Sequence, residues 1–183
     1  MYLCHKYAIF ILKKCNATFS EVSFFGYTEL FVKGRITIGK GFICRSGVTN
    51  CINSGISKIF VSDNAELIIG VNSGMSNTYI NCYERIEIGD NVNIGAGTMI
   101  FDSNFHSVNP IMRQNRYDDI RNAKKVPVYI GDNVFIGTNC IITKGVTIGD
   151  DSIIAAGSVV VKDVPKGEIW GGNPARFINK ISY

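Results

Sequence analysis

Aliphatic residues recur at every sixth position through the C-terminal half of the chain. A period of six differs from the period of an α-helix, which is about 3.6 residues, but it is a multiple of the two-residue period of a β-strand. Positions i, i+2 and i+4 of each six-residue unit can therefore lie on one face of a short strand. The aliphatic positions are Ile130, Ile136, Ile142, Ile148, Ile154 and Val160.

Glycine and short polar residues separate the aliphatic positions. Gly131 with Asp132–Asn133, and Gly149 with Asp150–Asp151, supply the backbone freedom that a sharp corner needs. Three strands and three corners make a triangular coil of about 18 residues, and stacked coils form a parallel β-helix with an aliphatic core. The sequence therefore predicts an all-β fold in which no coil buries its inner face alone.

The repeat stops after Ile100 and resumes at Ile130. Ile88 and Ile94 keep the same spacing before the break. One ordinary step would join the two halves of the pattern, so residues 102–125 are surplus and are predicted to leave the column as a loop. A polar, charged loop of this length inside a compact domain is usually functional or disordered.

The pattern also predicts how the chain is divided. It weakens toward the N-terminus, where residues 40–66 hold no clear register. After the last repeat, Asn173 and Pro174 suit the start of a helix that would place Phe177, Ile178 and Ile181 on one side. We predict an N-terminal covering segment at 1–33, a β-helix of about six coils at 34–165, and a cap with a short C-terminal helix at 166–183.

Composition narrows the classes of function. The 183 residues are 46% hydrophobic and 19% charged, which suits one domain with a sizeable core. The net charge of +4 is mild and no run of five like charges occurs. We therefore expect an anionic small molecule as partner rather than nucleic acid.

The cysteines and the N-terminal segment bear on location. Six cysteines occur without a CxxC pair, and we expect them to be reduced. The apolar stretch YAIFIL is too short to span a bilayer, and a segment packed on the domain is favoured over a membrane-surface anchor. We predict a cytoplasmic protein without stable membrane insertion.

Several motifs together resemble those of a known family. FDSNFH at 101–106 opens the interrupting loop, IGAGT stands at 94–98, AAGSVVVKDVP at 155–165, and GNPAR at 172–176. With the six-residue repeat, this combination resembles the hexapeptide-repeat acyltransferases, nearest to the galactoside, maltose and polysaccharide O-acetyltransferases. The resemblance implies a left-handed β-helix, a homotrimer with active sites in the clefts between subunits, and acetyl-coenzyme A (acetyl-CoA) as the donor, with no metal.

Matched to the family motif, His106 stands at the position of the catalytic histidine. Acetyl transfer to an alcohol needs a base, and an imidazole, whose ordinary pKa is about 6.5, suits that role; the alternative is a solvated loop histidine. Asp102 could orient the imidazole or simply end a strand. Asn77 is the nearest candidate for binding the acceptor and the oxyanion, although an ungapped match brings Met75 to the family's asparagine. A corner asparagine in a left-handed conformation is the other interpretation of Asn77.

The resemblance also implies how CoA is held. Thr138 and Ala156 would hydrogen-bond the pantetheine arm through backbone groups. Val161, Lys162 and Arg176 would lie near the nucleotide, where cations meet phosphates. Each of these cations could instead be a solvated surface charge.

The predicted function is a CoA-dependent O-acetyltransferase that acts on a hydroxyl of a sugar or a polysaccharide precursor. Arg113, Tyr117 and Asp118–Asp119 of the loop are expected to shape the choice of this acceptor. Two alternatives remain open. One is the same fold acting on an amine, an antibiotic or serine. The other is a catalytically silent β-helix that serves as a binding or assembly module, against which His106 and the GNPAR tail argue.

Overall fold

The computed structural model describes residues 2–47 and 55–182, and a stack of six three-stranded coils accounts for most of them. Coil by coil, the strands are β1 (Thr18–Phe19), β2 (Ser23–Phe25) and β3 (Glu29–Val32); β4 (Arg35–Ile38), β5 (Ile43–Arg45) and β6 (Lys58–Val61); β7 (Glu66–Ile69), β8 (Gly74–Ser76) and β9 (Tyr79–Cys82); β10 (Arg85–Ile88), β11 (Asn93–Ile94) and β12 (Met99–Phe101); β13 (Val128–Ile130), β14 (Phe135–Ile136) and β15 (Ile141–Ile142); and β16 (Thr147–Ile148), β17 (Ile153–Ile154) and β18 (Val159–Val160). A hairpin follows, made of β19 (Glu168–Gly172) and β20 (Ala175–Lys180). The helices are α1 (Tyr2–Lys14), a 3₁₀ turn (Met112–Gln114) and α2 (Arg116–Arg121).

Each strand of a coil pairs in parallel with the corresponding strands of the neighbouring coils. The first strands of the coils form the first sheet, β1-β4-β7-β10-β13-β16, and the second and third strands form the second and third sheets. The three sheets enclose one column of side chains. The predicted parallel β-helix of about six coils is confirmed, with five coils inside the predicted bounds of 34–165 and one before them.

The side chains predicted to point inward build this column by direct stacking. Ile88 pairs with Ile130 in the first sheet, and Ile94 pairs with Ile136 in the second. All four side chains are buried. Full burial of one such side chain contributes about 1.5–3 kcal/mol, so the repeated aliphatic positions supply the main stabilising interaction of the stack.

Aspartates stack along the corner between the first and second sheets. Oδ1 of Asp132 accepts a hydrogen bond from the backbone N–H of Asp90 at 2.8 Å, and Oδ1 of Asp150 accepts one from Asp132 at 3.0 Å. Oδ1 of Asp90 likewise accepts a hydrogen bond from the N–H of Val71 at 2.6 Å. These bonds satisfy corner N–H groups that the strands leave unpaired, which explains why an aspartate recurs after the glycine of the repeat.

Helix α1 closes the N-terminal end of the stack. It packs on β2 and β3, with Leu12 fully buried in the core. Nδ1 of His5 accepts a hydrogen bond from the N–H of Phe24 at 3.3 Å. The coils begin at Thr18, well before the predicted boundary, so much of the predicted covering segment is the first coil. The aliphatic pattern did not reveal this coil because an aromatic residue, Phe24, fills its core position.

A β-hairpin follows the last coil where the sequence predicts a short helix. β19 pairs in parallel with β17, and β20 pairs antiparallel with β19. Phe177 and Ile178 are about half exposed, at 50% and 57%, instead of packing on one side of a helix. The prediction of a C-terminal helix is wrong because β20 pairs with β19 and satisfies the backbone groups at the free edge of that strand, which outweighs a weak helical preference.

The predicted loop leaves the column after β12 and returns at β13. Its two ends lie side by side, with Ser103 bridged to Lys125 and the N–H of Asn104 donating to the carbonyl of Lys124 at 3.0 Å. We call these four residues the neck. Beyond the neck the chain forms the 3₁₀ turn and α2, so the interrupting loop is confirmed as a folded excursion.

Residues 48–54 lie outside the described residues, and they include Cys51 and part of the region without clear register. The five cysteines within the described ranges are free thiols. Across those ranges, neither helix has the length and apolar character needed to cross a bilayer.

Candidate active site

His106 stands just beyond the neck, on a backbone that turns sharply. Phe105 has a left-handed φ of 63°, and its N–H donates to Oγ of Ser103 at 3.0 Å. The Phe105 ring packs edge-on against Tyr83, with centroids 5.6 Å apart, and against Phe101 at 5.3 Å. This packing fixes the base of the loop, so the imidazole of the next residue is held at the side of the β-helix.

His106 is paired with a carboxylate from the returning part of the loop. Its Nδ1 lies 2.6 Å from Oδ2 of Asp119, and Oδ1 of Asp119 accepts a hydrogen bond from the N–H of Ser107 at 2.7 Å. Asp119 lies on α2, which begins after Asn115; the Asn115 side chain caps the first turn by accepting backbone hydrogen bonds. The Asp119 side chain is 11% exposed, whereas the imidazole is 70% exposed and open to solvent.

Hydrogen bonds set the charge state of this pair. The bond from His106 and, next, the bond from the N–H of Ser107 hold the pKa of Asp119 below its ordinary value of 3.8. Asp119 is therefore ionised at neutral pH and accepts the hydrogen bond, so Nδ1 of His106 carries the proton. Nε2 is then the nitrogen that can take a proton from a bound molecule. The pair has the geometry of a general base and the carboxylate that orients it.

The imidazole and its carboxylate lie in the wall of a cavity of 570 Å³ beside the neck. Tyr83, Phe105 and Ile120 give this cavity an apolar side, and Arg116 and Lys125 add positive charge. A cavity of several hundred Å³ with a few convergent polar groups is typical of a small-molecule site.

Asp102 does not contact the imidazole. It is fully buried; Oδ1 accepts a hydrogen bond from the N–H of Tyr83 at 2.7 Å, and Oδ2 accepts those of Glu84 and Arg85 at 2.7 and 2.8 Å. These three N–H groups form the corner between β9 and β10, one coil before the loop leaves. The geometry favours the structural alternative for Asp102, and Asp119 occupies the place expected of the orienting carboxylate.

Asn77 lies away from the cavity. It is fully buried at the corner between β8 and β9, with a left-handed φ of 42°, and its Oδ1 accepts a hydrogen bond from the N–H of Gly47 at 2.9 Å. Met75 points into the core and is 3% exposed. This conformation is the one that the corner interpretation of Asn77 expects, and within one chain neither side chain lines the cavity that holds His106.

The two loop residues predicted to contact the acceptor lie near this cavity without lining it. Nη1 of Arg113 donates to the carbonyl of Ser107 at 2.7 Å and braces the loop behind the imidazole. Tyr117 is 70% exposed and, with Arg121, lines an adjoining, open cavity that shares Arg116 and Ile120 with the cavity of His106.

The residues predicted to bind CoA lie at two edges of the third sheet and on the terminal hairpin. Thr138 and Ala156 stack one coil apart at the corner between the second and third sheets, because β14 pairs with β17 just before them. Val161 and Lys162 are exposed at the corner between the third and first sheets, and Arg176 is exposed on β20. One chain does not bring these residues into the cavity beside His106.

Sequence reasoning assigned Asp119 only to the choice of acceptor, and it did not single out Lys125 or Tyr83. A signal for the helix was present, because Asn115 followed by acidic residues is typical of a helix N-terminus. Which of two adjacent acidic residues faces His106 depends on how α2 packs, and the sequence pattern carries no information on that.

Comparison with known proteins agrees with the fold and with the repeat. Residues 127–162 match the family model described as the hexapeptide repeat of succinyl-transferase. The chain is similar to galactoside O-acetyltransferase from Escherichia coli (strain K12), at 36% identity over 126 residues that cover 68% of this chain and 59% of the relative. The chain thus spans less than two thirds of that relative's length.

Two solved structures extend the similarity over nearly the whole chain. One is a hexapeptide-repeat-containing acetyltransferase from Vibrio cholerae O1 biovar eltor complexed with acetyl coenzyme A, at 27% identity and a TM-score of 0.63, covering 97% of this chain and 77% of that one. The other is a maltose O-acetyltransferase from Clostridium difficile 630, at 27% identity and a TM-score of 0.63, covering 98% and 77%. The resemblance predicted from the sequence is confirmed: the chain is a hexapeptide-repeat protein with a left-handed parallel β-helix, similar to the acetyltransferases of that family.

Proposed function

We propose that this protein is an acetyl-CoA-dependent O-acetyltransferase that moves an acetyl group to a hydroxyl of a sugar or a polysaccharide precursor. The observation that carries the proposal is the imidazole of His106, which lies 2.6 Å from Asp119 and opens to a cavity of 570 Å³. Similarity to a galactoside and a maltose O-acetyltransferase supports a sugar hydroxyl as acceptor. The related acetyltransferase complexed with acetyl coenzyme A supports the donor.

In this reaction one proton moves twice. Nε2 of His106 takes the proton of the acceptor hydroxyl while the hydroxyl oxygen attacks the carbonyl carbon of the thioester. The tetrahedral intermediate collapses as its C–S bond breaks, and the imidazolium returns the proton to the sulfur of CoA. Asp119 stabilises the imidazolium between these two steps and keeps the ring in the tautomer that leaves Nε2 free.

The proposal includes a homotrimer in which a neighbouring subunit completes the site. Within one chain, the neck lies at one edge of the third sheet, and Thr138 and Ala156 lie at the other edge. A second copy would therefore bring the CoA-binding residues to the cavity of the first. Sedimentation equilibrium should give three times the chain mass of 20.1 kDa. A fully active monomer would contradict this part of the proposal.

We also propose a cytoplasmic location. The five cysteines in the described ranges are free thiols, of which three are buried. Free thiols persist in reducing compartments, which favours the cytoplasm over an oxidising one. Cell fractionation with an antibody to the native chain tests this point.

Thiol release from acetyl-CoA, measured with a panel of sugars, tests the proposed activity. His106→Ala should lower kcat/KM by about 10²- to 10⁴-fold, the usual contribution of a general base. His5→Ala is the matched control because it removes the histidine on α1, far from the cavity, and it should keep the activity. Mass spectrometry of the product should identify an acetyl ester.

Other results would reject the proposal or redirect it. Equal rates for His106→Ala and His5→Ala would reject the mechanism. Transfer to amines or serine in the same panel, with none to sugars, would favour the alternative acceptors. Calorimetry that detects no binding of CoA would favour a silent scaffold.

A further inference from the structure

Two cations in the cavity of His106 take part in no ion pair within the described residues. Arg116 begins α2, Lys125 stands at the neck, and both line the cavity. The salt bridges of the described chain are formed by other cationic groups. The Lys125 ammonium lies 5.9 Å from the centroid of the Tyr83 ring, which places the charge over the aromatic wall of the cavity.

The carboxylate in the cavity wall does not neutralise these cations. Among the described lining residues Asp119 is the one acidic side chain. Its Oδ2 is bonded to His106 and its Oδ1 to the N–H of Ser107. With a neutral imidazole, the wall therefore carries two positive charges against one negative charge that is already engaged.

Both residues are exposed, so their charges line the open side of the cavity, and unpaired cations at such a place favour an anionic ligand. The phosphates of CoA are one candidate and an acid group on the acceptor is the other. The long pantetheine arm separates the thioester from the phosphates, so a thioester that reacts beside His106 leaves its phosphates outside this cavity. The acceptor hydroxyl must lie against Nε2 of His106, and a group a few atoms away on the same molecule comes within reach of Lys125 and Arg116.

We infer that the acceptor is an acidic saccharide, with a carboxylate or a phosphate close to the hydroxyl that is acetylated. This inference rests on the proposed O-acetyltransferase function and names the substrate class of the same site. The rings of Tyr83 and Phe105 supply an apolar wall for the carbon face of the sugar. Lys125 and Arg116 bind the acid group, and His106 takes the hydroxyl proton.

Three matched acceptors test the inference: methyl galactoside, the corresponding methyl galacturonide, and methyl galactoside 6-phosphate. For the wild-type protein, kcat/KM for one of the acidic acceptors should exceed that for the neutral sugar about tenfold or more, the effect of one charge-assisted hydrogen bond. Whether the uronate or the phosphate reacts faster identifies the acid group.

Variants of the two cations locate the effect. Lys125→Gln and Arg116→Gln should each bring the ratio of acidic to neutral kcat/KM down toward one. Lys124→Gln is the matched control because it removes the adjacent lysine, whose side chain does not line the cavity, and it should leave the ratio unchanged. A ratio near one in the wild type, or a ratio that survives both cavity substitutions, overturns the inference. A rise in KM for acetyl-CoA alone in these variants assigns the cations to the donor and also overturns it.

A binding measurement separates this inference from the proposed function. If no sugar is acetylated, the proposed function fails, and saturation-transfer NMR with the galacturonide and the 6-phosphate in the presence of CoA still tests the site. Binding of one acid to the wild type, weakened at least tenfold in Lys125→Gln and retained in Lys124→Gln, supports an acidic ligand in this cavity. Absence of binding by both acids overturns it.

Discussion

Replacing Asp102 by alanine should destabilise the β-helix strongly. The carboxylate is fully buried and accepts three backbone hydrogen bonds, at 2.7, 2.7 and 2.8 Å. A hydrogen bond to a charged group contributes about 1.5–3 kcal/mol, and three bonds that share one carboxylate contribute less than three times that amount. We expect a loss of about 3–5 kcal/mol in the free energy of unfolding, because three N–H donors remain without acceptors. For a chain of this length the midpoint of thermal unfolding should fall by about 6–20 °C.

Asp163 offers a matched control at the equivalent corner of the last coil. Its Oδ1 accepts one hydrogen bond, from the N–H of Thr147 at 2.8 Å, and its side chain is exposed. Asp163→Ala should therefore lower the free energy of unfolding by about 0.5–1.5 kcal/mol. Circular dichroism during heating measures both variants against the wild type, and thiol release measures the activity of each folded protein.

Two results would refute this reasoning about Asp102. If Asp102→Ala has the same midpoint of thermal unfolding as the wild type while its kcat falls as far as that of His106→Ala, the carboxylate acts in the reaction and does not stabilise the corner. If Asp163→Ala destabilises as much as Asp102→Ala, the loss does not scale with the number of N–H donors, and the structural account of the corner fails.

Three further predictions concern the orienting carboxylate, a buried thiol and a tight corner. Asp119→Asn should lower kcat about 10- to 100-fold with little change in the KM for acetyl-CoA, whereas a purely structural role would lower the thermal midpoint and leave kcat per folded molecule intact. Burial, and next the charge of Asp102, raise the pKa of the Cys82 thiol from 9.0 to about 12, so the thiol stays protonated at pH 8. Iodoacetamide at pH 8 should therefore label Cys82 only after unfolding, which mass spectrometry can test. Gly26→Ala should lower the free energy of unfolding in urea far more than Gly157→Ala. Both glycines have a positive φ, at 87° and 73°, but a Cβ at Gly26 would lie 1.7 Å from the backbone oxygen of Ser46, whereas a Cβ at Gly157 meets no atom within 4 Å. Equal losses of unfolding free energy in the two variants would contradict the close approach at Gly26.

The sequence predicts the column well because the repeat ties each residue to a place in the fold. Once Ile130 is known to point inward, the spacing of six fixes the inward position of Ile136 and of every later member of the series. The same logic fails where the repeat is replaced by other interactions. Phe24 fills the core of the first coil without the aliphatic pattern, and β20 forms because β19 offers a strand partner, which the local preference of its own residues does not reveal.

The loop has no such repeat, and this explains why its chemistry is only partly predictable from the sequence. His106 could be found because it stands at the point where the repeat breaks. Asp102 is suggested as its partner by its place four residues away along the chain, but the N–H groups of the corner between β9 and β10 hold that carboxylate inward. Asp119 is farther along the sequence and becomes the partner only when α2 folds back over the neck. The residues that distinguish one acceptor from another, Arg116 and Lys125 in our inference, are placed by the same folding of the loop. A rigid column therefore carries a loop whose sequence can change without loss of the fold, and the specificity of the site should follow the loop rather than the repeat.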